Sequence, residues 1–110
     1  MKITSLEEAP FIPVSHDPQL KKQVLFGKGT LPHVMAVSHI EMKPGDSAVS
    51  HKHDDAYEVF FGMAGRIEFV VDGEDVPLTA GKCLIVEPGE THSIRDAAQG
   101  SRMLYFLLVK

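Results

Sequence analysis

The chain has 110 residues, 44% of them hydrophobic and 24% charged, with a net charge of −4 when histidine is neutral. That length suits one domain with one core, and the composition excludes a disordered chain. No apolar run nears the roughly 18 residues a bilayer crossing needs, and Lys21-Lys22 is the densest basic spot, which argues against phosphate-backbone binding, and so against a nucleic-acid partner, as the main work.

Met1 to Pro13 carries Glu7, Glu8 and prolines where a secretion signal needs a basic end and an apolar stretch, so a cytoplasmic protein is expected, with no membrane partner. The first 32 residues hold four of the seven prolines and read as irregular, with brief helical turns at Leu6–Ala9 and Asp17–Lys22. They form a strap or strands beside a core spanning residues 33–110, and the whole is one domain. From the middle of the chain onward, turn signals recur every several residues: Lys43-Pro44-Gly45, Gly62 to Gly65, Asp72-Gly73, Ala80-Gly81, Pro88-Gly89 and Gln99-Gly100. Between them the spacing predicts short strands at Val34–Glu41, Ala48–Lys52, Tyr57–Met63, Arg66–Val71, Asp75–Leu78, Cys83–Glu87, Thr91–Arg95 and Arg102–Val109. That is the mark of an all-β sandwich or barrel.

Within Arg66 to Asp72, Ile67, Phe69 and Val71 share one face, and Asp72-Gly73 suits a tight hairpin turn. Cys83 to Val86 and Met103 to Val109 are apolar on both faces, which predicts burial against the interior and against something outside. A single cysteine rules out an internal disulfide framework. Cys83, set in an apolar run, reads as a small buried hydrophobe rather than a reactive thiol.

The chemistry concentrates in Gly45 to Gly65. On a strand, His51 and His53 at i and i+2 point the same way, about 6.5–7 Å apart at the backbone, so two imidazoles can converge on one ion. Glu58 has the wrong parity for the same uninterrupted strand, so Asp54-Asp55-Ala56 must turn or bulge before a new strand brings it inward. His92 follows the Pro88-Gly89 turn and begins another strand. Three imidazoles and a carboxylate suit a divalent Fe, Mn, Ni, Cu, Co or Zn ion. Each residue alone has an ordinary explanation as a satisfied or solvated polar side chain; the pattern carries the argument.

Gly45-x5-His51-x-His53-x4-Glu58-x6-Gly65 resembles the first motif of the cupin superfamily without a gap. Gly81-x5-Glu87-Pro88-Gly89-x2-His92-x3-Asp96 resembles the second, with Glu87 where the family usually has Pro and Asp96 where it usually has Asn. Together they span nearly half the chain. The resemblance implies a small single-domain cupin, an antiparallel double-stranded β-helix (jelly-roll barrel), with the ion near the wider mouth and His51, His53, Glu58 and His92 as ligands. It also implies a homodimer with N-terminal strands crossing between subunits; the alternative for Phe11 to Phe26 is a strap over its own barrel.

Such a site leaves up to two coordination positions for a small-molecule ligand or substrate. One reading is a metal-dependent dioxygenase or isomerase acting on a compact oxygen-rich molecule, with Glu58 as the catalytic base. A second is a module that binds a small ligand without turning it over. A metal-free scaffold ranks last, because burying these groups unpaired is costly. Phe60 shares parity with Glu58 and is expected to line the pocket, with Phe61 packing outward. His39 and Tyr57 are further pocket candidates, each with an ordinary reading as a strand residue and a rim aromatic. Arg95 either anchors an anion or pairs at the surface with Asp96 or Asp72.

Overall fold

A computed structural model describes all residues from Met1 to Lys110. Ten strands follow one another: β1 (Phe11–Val14), β2 (Asp17–Phe26), β3 (Val34–Met42), β4 (Ala48–His51), β5 (Ala56–Ala64), β6 (Arg66–Val71), β7 (Glu74–Thr79), β8 (Cys83–Val86), β9 (His92–Ala97) and β10 (Ser101–Val109). They form a six-stranded sheet in the order β1-β2-β3-β10-β5-β8 and a four-stranded sheet in the order β4-β9-β6-β7, with every pairing antiparallel. This is an all-β jelly-roll barrel. No helix is long and apolar enough to cross a membrane.

Alternation builds the core. Ile67, Phe69 and Val71 of β6 turn inward to meet Phe60, Val86, Ile94, Leu78, Met42 and Met103, which removes apolar surface from water at about 25 cal/mol per Å². The β6–β7 hairpin closes through Asp72 and Gly73, whose φ angles of 46° and 80° are both positive, as a type I′ turn requires. Pro13 and Pro77 fall on β1 and β7, edge strands in which a missing N–H breaks no ladder. Gly65 has a φ of 72°, and a side chain there would run into the backbone and hydroxyl of Ser101. Glycine is therefore required twice over at the corner between β5 and β6.

Two expectations are corrected. Asp17–Lys22 is part of strand β2 and not a helical turn. Its buried residues Asp17, Leu20 and Gln23 come three apart because both of its faces are covered: Leu20 joins the core, while Gln23 lies under the N-terminal turn, donating to the carbonyls of Leu6 and Ala9. Leu6–Ala9 does make a turn, with the N–H groups of Glu8 and Ala9 donating to the Ser5 carbonyl. Second, Cys83 is exposed, since β8 is an edge strand that turns Val86 inward and leaves Cys83 and Ile85 outside. The outer face of that strand, expected to lie against something outside, is covered by nothing in the chain itself, Ile85 being 54% exposed. In the chain itself, the N-terminal residues pair β2 against β3 of the same barrel.

Candidate metal centre

Four donors reach one point from three strands and a loop. His51 ends β4, His53 follows it in the loop, Glu58 lies on β5 and His92 opens β9. His51 and His92 are register partners on adjacent strands, with ring centroids 4.2 Å apart. After β4 the chain bends at Asp54 and Asp55 before β5 starts at Ala56, and that bend brings Glu58 inward. The loop is pinned where it matters, as the N–H of Gly89 donates to the His53 carbonyl at 2.8 Å. One ligand atom from each of the four side chains lies within 4.8 Å of the others.

The hydrogen bonds favour a cation at that point. The Nδ1–H of His51 donates to the Val49 carbonyl at 3.0 Å, and that of His92 to the Glu90 carbonyl at 3.4 Å. A carbonyl can only accept, so both rings carry a proton on Nδ1 and turn Nε2 inward. The Nε2 of His92 then stands 3.0 Å from Glu58 Oε1, and the Nε2 of His53 3.6 Å from the same oxygen. Imidazole nitrogens gathered at these distances on a buried carboxylate suit a shared cation, and the donor set of three imidazoles and one carboxylate fits a divalent transition metal.

These groups open into a cavity of about 270 Å³ lined by mostly apolar side chains. Phe60 lines it, its ring 6.2 Å from that of His92 and stacked at 5.8 Å on Tyr105. Of the further pocket candidates, His39 and Tyr57 do not line it, and the ordinary reading of each stands. The reason is parity. Ser38 and Ile40 of β3 line the cavity, so His39 faces outward, where its Nδ1–H donates to Gln23 Oε1 and its Nε2 accepts the Nε–H of Arg102. Burial, reinforced by Arg102, holds the His39 imidazole below its usual pKa. Glu58 and Phe60 point inward on β5, so Tyr57 and Phe61 point out. Arg95 takes the surface role, beside Glu68 and Asp75 rather than Asp96 or Asp72.

Residues the sequence did not single out come from the N-terminal hairpin and the last strand. His16, in the β1–β2 turn, sits with its ring 5.9 Å from that of His51 at the cavity mouth. Asp17 is buried and accepts the N–H of Val49 at 3.1 Å, tying the hairpin to β4. Tyr105 lines the cavity, and burial, with the Glu58 carboxylate adding to it, pushes its phenol above the ordinary range. The signal available was weak: a His-Asp pair in a segment that offered no strand period, and a tyrosine in an apolar run.

An antiparallel jelly-roll barrel with an inward cluster of three histidines and a glutamate defines the class of protein. The model of the cupin domain family matches residues 38–109, and the chain belongs to that family. It is 32% identical over 90 residues to an oxalate-binding protein of Thermotoga maritima, covering 82% of this chain and 69% of that one. The crystal structure of a predicted oxalate decarboxylase from Thermotoga maritima superposes over the full length of both chains with a TM-score of 0.87 at 23% identity. A Cupin 2 conserved barrel domain protein from Salinispora arenicola is similar over 100% of this chain and 89% of its own, with a TM-score of 0.74 at 28% identity.

Proposed function

We propose that this cupin holds one divalent transition metal through His51, His53, Glu58 and His92 and uses it to bind a compact, oxygen-rich acid. The observation that carries this is the convergence of four donor atoms within 4.8 Å, two of them on imidazoles whose other nitrogen is committed to a backbone carbonyl. A bound ion supplies Lewis acidity and open coordination positions for ligand oxygens. The chain supplies a small, mostly apolar cavity beside the four donors. The likeness to an oxalate-binding protein supports a dicarboxylate or related acid as the ligand class.

A second reading, turnover of that ligand in the manner of a dioxygenase or isomerase, draws on Glu58. Its Oε1 is shared between His53 and His92, and a carboxylate changes partners more cheaply than an imidazole does, which suits it to act as a base. The apolar side chains exposed on the outer face of the six-stranded sheet, Phe61, Ile85 and Leu108, support a homodimer in which a second copy covers them.

Elemental analysis of protein purified from its source without a nickel column tests the metal reading, the expected result being about one transition-metal ion per chain. Oxygen uptake by the reduced, iron-loaded protein with a panel of diketones, thiols and phenols tests turnover. Uptake coupled to substrate loss supports the enzyme, and tight binding without loss supports the module.

A further inference from the structure

The cavity wall beside the apolar core carries a tyrosine whose hydroxyl has no partner in the protein. Tyr105 stands in register between Ser38 of β3 and Phe60 of β5, while Glu58 pairs with Leu107, two residues along β10. On a pleated sheet, that places Tyr105 one inward-facing rank from the carboxylate. Its ring is held by the stack on Phe60, and its side chain lines the same cavity as the four donors. The hydroxyl makes none of the side-chain hydrogen bonds found in the protein, and because every fully buried polar side-chain atom has a partner, it stands open to the cavity. A phenol hydroxyl is a donor as well as an acceptor. A guest oxygen can therefore take the place of water on that donor without breaking a bond within the protein.

We propose that Tyr105 is a ligand-positioning residue, donating its hydroxyl to an oxygen of a compact dicarboxylate whose other oxygens engage the ion. This rests on the metal reading given above. A dicarboxylate chelating an ion through one edge leaves its remaining oxygens charged and needing donors. Tyr105, with Ser38 beside it, meets that need without adding a second cation.

The test is isothermal titration calorimetry of oxalate into Mn2+-loaded protein, comparing wild type, Tyr105→Phe and Tyr57→Phe. Tyr105→Phe keeps the ring and its stack and removes the donor; Tyr57 faces away from the cavity and serves as the control. Oxalate affinity is expected to fall about tenfold in Tyr105→Phe, the value of a hydrogen bond to a charged acceptor, and to hold in Tyr57→Phe. The Mn2+ affinity and melting temperature stay unchanged in both. Equal oxalate affinity in Tyr105→Phe and wild type overturns this proposal and leaves the metal reading standing, as does a Mn2+-loaded wild type that takes up no oxalate. A wild type that binds no Mn2+ overturns the metal reading, and this proposal with it.

Discussion

The carboxylate of Asp96 accepts the backbone N–H of Gly45, 51 positions earlier in the chain, at 3.1 Å, together with that of its neighbour Ala97 at 2.8 Å. One side chain thereby fastens the turn that opens the first motif to the strand that closes the second. These N–H donors, the Gly45 one first, hold the Asp96 carboxyl below the usual carboxylate range.

A pH signature follows from that bond. Because the folded pKa is depressed, the stabilisation is present above the ordinary carboxylate pKa of about 3.9 and is lost as pH falls through the folded value. Asp96→Asn keeps an acceptor oxygen but removes the charge. Thermal melts should show wild type ahead of Asp96→Asn at pH 7, with the gap closing below about pH 4; a gap independent of pH would contradict the assignment.

On the outer face of β3, His39 links Arg102 to Gln23, and Gln23 holds the N-terminal turn. Burial and Arg102 disfavour the imidazolium, so the unfolded chain takes up a proton more readily. Stability is full above the ordinary histidine value of about 6.5 and falls as pH drops from there toward the folded pKa. His39→Ala should cost about 1–3 kcal/mol at pH 8 and flatten the slope of stability against pH in that window. Urea unfolding at several pH values checks both parts.

The corner at Gly65 makes a sterically exact demand. An alanine there must adopt a positive φ and displace Ser101, a combined cost of about 2–4 kcal/mol. Differential scanning calorimetry should show Gly65→Ala melting at least about 8 °C below wild type. A shift under about 2 °C would mean the corner relaxes freely.

Most of the barrel was legible because its strands obey one rule. From Val34 onward, short apolar stretches between glycine turns put one face inward, and the eight expected strands match β3 to β10 within a residue or two. The approach of His51, His53 and Glu58 was legible for a related reason, since parity and the bend at Asp54-Asp55 follow from local spacing, whereas His92, far along the chain, joined them through the resemblance of its motif to the cupin pattern. The N-terminal hairpin was not. Asp17 is buried by a bond to Val49 and Gln23 by the turn at Leu6–Ala9. Those contacts are long-range, so no local period announces them. Cys83 misled for the opposite reason: an apolar run suggested two buried faces, but the strand lies at a sheet edge.

If the four donors hold an ion, they should act as a unit. His51→Ala and His92→Ala should each weaken Mn2+ binding by more than about 100-fold, beyond what removal of a merely orienting partner costs. In wild type, Mn2+ at about 100 times its Kd should stabilise the fold by about 2.7 kcal/mol, and this gain should vanish in both variants. Thermal shift with and without the metal reads both effects.

Anomalous diffraction from a crystal of the Mn2+-loaded protein tests the central claim most directly. The account predicts one strong peak about 2.0–2.3 Å from the inward nitrogens of His51, His53 and His92 and from a Glu58 oxygen. Imidazoles turned apart, with no density shared among them, would contradict it.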